Sequence, residues 1–179
     1  MATKIALLRA VNLGGETKVS MSDLRKLLAE LGLGNPRTLL QSGNLVFEGG
    51  QDGDDELENL LQSETARSLA LRTDFFVRGL AEWSSMIANN PFLTETTTDP
   101  SHLLVVFLRA QPAEASVRTL DALAGPERAR TWGRHLYVTY PEGIGRSRLT
   151  MSVIERTPGM RGTARNWNTV LKLVALAQG

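Results

Sequence analysis

The sequence predicts an α+β fold made of two halves with the same element order. Three observations lead there. Short β-prone runs are interleaved with helical apolar stripes in the order β-α-β-β-α-β. The same order returns after a polar break near residue 93. The strand-like run ending FLRA at 107 to 110 echoes the one ending LLRA at 7 to 10. This β-α-β-β-α-β order is that of ferredoxin-like domains, so the expectation is a tandem duplication of a ferredoxin-like (βαββαβ) unit with extra helices.

In the first half, residues 1 to 92, KIALLR at 4 to 9 reads as a strand, followed by the loop AVNLGGETK. A helix comes next. Ser20 is its N-cap, Asp23 lies three residues on, and Val19 and Leu24 occupy the positions of a hydrophobic staple. Leu24, Leu27, Leu28 and Leu31 form its apolar stripe, and Gly32 stops it. RTLLQSGNLVFEG at 37 to 49 reads as a hairpin in which Gly43 and Asn44 take positive φ. DGDDELENLLQSETARSLA is a second helix, capped by Asp52 or Asp54, with Leu57, Leu60 and Leu61 inward. LRTDFFVR at 71 to 78 is a strand. LAEWSSMIANN is a helix with Leu80, Trp83 and Ile87 at helical spacing, stopped by Pro91.

Residues 93 to 101 are polar and unpatterned and are expected to be a linker. The second half, 102 to 179, opens with the strand HLLVVFLR. Pro112 starts a helix through Leu123, ended by Gly125-Pro126. RARTWG and HLYVTY pair as a hairpin around Gly133. RSRLTMSVIER is a helix broken at Thr157-Pro158-Gly159. An extended piece near 161 to 164 supplies the fourth strand, and a final helix runs from about 166. Its core-facing stripe is expected at Trp167, Val170, Leu171 and Val174.

The 179 residues are 42% apolar and 22% charged, ordinary for a folded globular chain. Lysine plus arginine number 20 against 19 acidic residues, a net charge of +1 that gives no general attraction to nucleic acid or an anionic bilayer. The absence of cysteine excludes disulfides and thiolate chemistry. His102 and His135 fit no metal-binding spacing, so neither a metal nor a cofactor is expected. The N-terminal apolar run is interrupted by Arg9 and too short for a signal peptide, and no stretch approaches the ~20 apolar residues of a membrane span. A cytoplasmic location is expected.

Four stretches carry a family resemblance: LLRAVNLGGETKVSMSDLRKLL, LQSGNLVFEG, VRGLAEW with the following NPF, and TARNWNTVLKL. In that order they resemble the bacterial family catalogued as domain of unknown function 1697. The resemblance implies a tandem ferredoxin-like α+β fold. It implies no activity, because the family has none established. Arg9-Ala10 stands where the family commonly has Arg-Gly.

Three places are candidates for a binding site. The first is the loop from Arg9 to Lys18, where Asn12, Gly14 and Gly15 lie between a strand and a helix N-terminus. Such a loop can offer N–H groups to an anion, with Lys18 adding charge, or can be a tight connection that needs glycine. It matches neither GxxxxGK[ST] nor GxGxxG. The second is Gln41-Ser42-Gly43-Asn44, either a plain hairpin turn or a place where Ser42 and Asn44 face a ligand. No nearby histidine activates Ser42 as a nucleophile.

The third is TARNWNTV at 163 to 170. Thr163 or Asn166 can cap the final helix. Arg165 in its first turn opposes the helix dipole, which makes sense beside an anion, either an internal carboxylate or a ligand. His102, His135, Trp83 and Trp132 read as structural. Arg146 and Arg148 suit a solvated surface as well as an anion site, and DGDDE reads as a solvated helix start.

Three functions compete. One is binding of a small anionic ligand, a nucleotide or phosphorylated metabolite, near the junction of the two halves; its residues are Arg9, Asn12, Gly14, Gly15, Lys18, Ser42, Asn44, Arg165 and Asn166. A second is RNA binding on a ferredoxin-like sheet, disfavoured by the missing RNP1 pattern and the balanced charge. A third is a structural or interaction role, including a homodimer that covers open sheet faces. No general base stands out, so catalysis is left open.

Overall fold

The computed structural model describes residues 1–9, 18–123 and 125–179. Among them are seven α-helices and two four-stranded antiparallel sheets. The first sheet holds β1 (Thr3–Leu8), β2 (Gly34–Thr38), β3 (Asn44–Glu48) and β4 (Phe75–Gly79), in the order β2-β3-β1-β4. Helices α1 (Met21–Glu30) and α2 (Asp54–Leu69) connect them, and α3 (Leu80–Ala88) and the four-residue α4 (Glu95–Thr98) follow. The second sheet holds β5 (Leu103–Leu108), β6 (Arg128–Trp132), β7 (His135–Thr139) and β8 (Gly162–Asn166), in the order β6-β7-β5-β8. Its helices are α5 (Glu114–Leu123), α6 (Met151–Arg156) and α7 (Trp167–Gln178).

The chain divides into two compact units, Met1–Ser84 with Lys172–Gly179, and Ser85–Leu171. Each contains one sheet.

In the first unit, alternation along β1 decides which side chains meet the connecting helices. Ala6 and Leu8 join Leu45, Phe47, Phe75 and Val77 in a core closed by Leu24 and Leu28 of α1 and Leu57 and Leu61 of α2. The Ser20 hydroxyl caps α1 by accepting from Asp23 N at 3.4 Å, and Gly32 leaves the helix at φ 77°. Two details differ from expectation on α2. Gly53 is its N-cap without a side-chain bond, so Asp54, Asp55 and Glu56 act on its dipole from the first turn instead. Leu60 lies on its wet face, while Glu58 is fully buried.

The other face of this sheet, with Ile5, Leu7, Val46 and Phe76, is buried as well. At β2, Arg37 Nη1 donates to Leu176 O in the last turn of α7. That turn has no basic residue of its own, so Arg37 supplies the positive charge a helix C-terminus favours.

In the second unit, Leu104, Val106 and Leu108 of β5 pack with Leu136 and Val138 of β7, Leu120 of α5 and Ile154 of α6. Thr150 caps α6 through Val153 N at 3.3 Å. The Tyr140 hydroxyl donates to Leu149 O at 2.8 Å, and burial pushes its pKa up to about 12. On the opposite face, Val105, Phe107, His135 and Tyr137 are buried. The Tyr137 hydroxyl donates to Met86 O of α3 at 2.6 Å.

Helices α3 and α7 start directly from the ends of β4 and β8. Asn166 Oδ1 caps α7 by accepting from Thr169 N at 3.0 Å. The buried positions of α7 are Trp167, Val170, Leu173 and Ala177; Leu171, expected inside, is exposed. Both Leu171 and Leu173 fit a stripe that steps by three and four residues, and packing buries Leu173.

Edge strands need partners for their outward N–H and C=O groups. On β4, Val77 N donates to Glu58 Oε1 at 2.7 Å and Phe75 N to Gln62 Oε1 at 3.1 Å, while Arg78 Nη1 donates to Val77 O at 2.8 Å. On β8, Gly162 N donates to Glu155 Oε1 at 3.0 Å and Arg165 Nη1 to Ala164 O at 2.8 Å. On β6, Ala129 N donates to Asp121 Oδ1 at 2.9 Å and Arg130 Nη1 to Ala129 O at 2.7 Å. All three follow one scheme. A helix side chain takes an outward N–H, and an arginine covers the carbonyl of the residue before it.

Candidate functional site

The residues expected to form a site fall into two groups, one in each compact unit. In the first unit, Arg9 follows the last residue of β1. Its N–H donates to Asp74 O at 3.0 Å, and its carbonyl accepts from the Thr73 hydroxyl at 2.6 Å. One residue earlier, Leu8 N donates to Gly43 O at 2.9 Å. These bonds fix Arg9, half-buried, at the sheet end beside the Gln41–Asn44 turn. Lys18 is exposed at the far side of the loop. Asn12, Gly14 and Gly15 lie outside the described residues.

The turn is held from inside. The Asn44 amide is fully buried and donates to Leu39 O at 2.9 Å and Ser42 Oγ at 3.0 Å, while Leu39 N donates to Asn44 O. Its left-handed positions are Gly43 (φ 72°) and Leu40 (φ 60°). Asn44, expected at positive φ, is instead the first residue of β3, where its side-chain amide bonds Leu39 O alongside the backbone bond from Leu39 N. Leu40 is 55% exposed, so an apolar side chain with a costly backbone conformation faces solvent beside Arg9's turn. Nothing in a leucine announces this in sequence.

In the second unit, Arg165 does not stand in a helix. It belongs to β8, opposite Val105, and the helix begins two residues later. Its Nη1 returns to Thr163 Oγ1 and Ala164 O, both at 2.8 Å. Desolvation lowers its pKa to about 10. The conflict with a helix dipole therefore disappears, and with it the reason to expect an anion there. Thr163 is a strand residue, and Asn166 spends its side-chain oxygen on the α7 cap.

The register supplies a counterpart that sequence reading missed. Arg78 pairs with Ile5 as Arg165 pairs with Val105, and each arginine donates to the carbonyl before it. The signal was present in VRG-L and ARN-W, where an arginine stands two residues ahead of a helix.

Both histidines make local contacts. His102 Nδ1 lies 2.9 Å from Asp99 Oδ2. His135 is buried, edge-on to Phe107 and stacked on Trp132. Arg146 and Arg148 are exposed. A cleft of about 330 Å³ lies between α5 and β6, and a smaller one of about 160 Å³ is lined by Leu27 of α1 and Leu69 of α2. Neither contains an expected site residue. Among the described residues, no helix is long and apolar enough to cross a membrane.

These features define a mixed α+β protein whose two four-stranded antiparallel sheets are each joined by helices. The family described as "Protein of unknown function (DUF1697)" matches residues 1–137, and the chain belongs to that family. The match leaves out TARNWNTVLKL, the last of the four motifs. No curated protein matches the chain. Among solved structures, the conserved bacterial protein SP0830 from Streptococcus pneumoniae is similar with a TM-score of 0.73, at 20% identity and over 98% of each chain. At that identity the likeness is one of fold.

Proposed function

We propose that the protein binds a small anionic ligand, a nucleotide or a phosphorylated metabolite, where β1 ends in the first unit. Arg9, Lys18 and Ser42 are the described residues that would meet it, while Gly43 and Asn44, both buried, hold the turn in place. The observation that carries this reading is the bond from Leu8 N to Gly43 O, which sets Arg9 beside a turn already stiffened by Asn44. With the Arg9 backbone already held beside the turn, an anion there has only the Arg9 side chain to order. Asn12, Gly14 and Gly15 join the proposed set by sequence position. Arg165 and Asn166 are assigned to the edge of β8 and the α7 cap.

RNA binding by base stacking on the second sheet finds no support, because Phe107 and Tyr137 are buried. We further read the chain as two ferredoxin-like copies, 1–92 and 102–179, working in the cytoplasm. Support for the copies comes from the twice-repeated strand order and the matched Arg78 and Arg165.

The test is a thermal-shift series with inorganic phosphate, pyrophosphate, nucleotides and sugar phosphates on wild type, Arg9→Ala and an Arg118→Ala control. A ligand at ~100 times its Kd stabilises by about 2.7 kcal/mol. The expected result is a shift in wild type and the control that Arg9→Ala loses. No shift with any of these anions, or an equal shift in Arg9→Ala, refutes the reading.

A further inference from the structure

The cover on β6 differs from that on β4 in one respect: water reaches it. On β4, Glu58 and Arg78 are wholly buried, so no other strand can approach them. On β6, Arg130 Nη1 and Asp121 Oδ1 are ion-paired at 2.9 Å with side chains 45% and 35% exposed.

The register shows what the pair covers. Trp132 and His135 flank a two-residue turn. Alternate residues from Trp132 back, Arg130 and Arg128, therefore turn their backbone groups toward β7, and Ala129 turns its own outward. Asp121 accepts the Ala129 N–H and Arg130 donates to the Ala129 carbonyl. One donor and one acceptor, held together by their charges, offer Ala129 what a residue of a neighbouring strand would. Beside them runs the α5–β6 cleft, with Val117, Ala129 and Thr131 in its lining.

We propose that the Asp121–Arg130 pair stands in for a fifth strand on the second sheet and keeps the β6 edge from pairing with β6 of a second copy of the chain. A second copy is the relevant intruder because it always carries the same edge, and antiparallel β6–β6 pairing about a two-fold axis satisfies both partners at once. Arg128, exposed and over the Phe92 ring, adds like charge against such an approach.

Light scattering on eluting full-length protein across a wide concentration range tests this. The Asp121→Ala/Arg130→Ala double variant is expected to self-associate at least about tenfold more tightly than wild type. Arg118→Ala, which removes only an exposed pair with Glu114, is expected to behave as wild type. A folded double-alanine variant with wild-type mass throughout overturns the proposal. The Asp121→Asn/Arg130→Gln variant keeps an acceptor and a donor without charge and is expected to associate less than the double alanine; equal association overturns it too. A measurement on wild type alone covers the case in which the alanine variant fails to fold. The Ala129 amide is expected to resist hydrogen exchange as paired strand amides do, and exchange at the rate of an open chain overturns the proposal.

Discussion

Replacing Arg78 by methionine keeps most of its volume and removes the guanidinium. The structure sets the cost. Arg78 and Glu58 are both at 0% exposure, with Nη1 and Oε1 3.6 Å apart. Glu82, the other carboxylate near Arg78, is 28% exposed and is left with access to water. After the substitution, Glu58 is a buried carboxylate without its counter-charge, and the Val77 carbonyl loses a donor. Breaking a buried pair from one side costs about 3–5 kcal/mol. Glu58 still accepts from Val77 N, which places the expected loss near the lower end, about 3 kcal/mol. That is a large share of the ~5–15 kcal/mol that holds an ordinary domain folded. Glu58→Gln keeps an acceptor for Val77 N, so the Arg78→Met/Glu58→Gln variant should recover part of the loss. A coupling of about 1–3 kcal/mol is expected between the two sites. Urea unfolding of wild type, both single variants and the double variant, followed by circular dichroism, measures it. A loss below about 1 kcal/mol for Arg78→Met, or purely additive effects, refutes the reasoning.

Two further outcomes follow from other positions. Leu40→Asn should raise stability by roughly 1 kcal/mol, since asparagine tolerates the left-handed region where leucine is strained and the lost side chain is mostly exposed; a lower urea midpoint counts against that. The Asp121 pKa lies below the ordinary carboxylate value because the Ala129 N–H and then the Arg130 guanidinium favour its charged form. A depressed folded-state pKa gives stability that is present above the unfolded value of ~3.9 and lost as pH falls through the folded value. Asp121→Asn should therefore destabilise at neutral pH and flatten the acid limb of the urea midpoint plotted against pH; an unchanged acid limb excludes the linkage.

Element order was legible because periodicity reports which face of a strand or helix meets the core. The β-α-β-β-α-β succession, the Ser20 cap and the Gly32 and Gly133 turns were all readable from side-chain chemistry near in sequence. What sequence hid depends on distant partners or on a displacement of one or two residues. At Arg165, a helix start two residues later than the dipole argument assumed turns a helical cation into an edge-strand cover. At Leu171, two leucines two apart compete for one stripe, and only packing chooses between them. At Leu40, the loop closed by Asn44 imposes a conformation that the residue itself disfavours. Of the candidate site, the nearness of Arg9 to Ser42–Asn44 needed the β1–β3 register, since 30 and more residues separate them.

The ending of α7 has a consequence for biosynthesis. Residues Lys172–Gly179 complete the unit that begins at Met1, and Leu176 is where Arg37 finds its acceptor. A nascent chain emerging from the ribosome can pair β1 to β4 long before those residues exist. Until translation has passed Leu176, the N-terminal sheet waits with Arg37 unanswered, so its final consolidation comes only after the strands of the second sheet have been made.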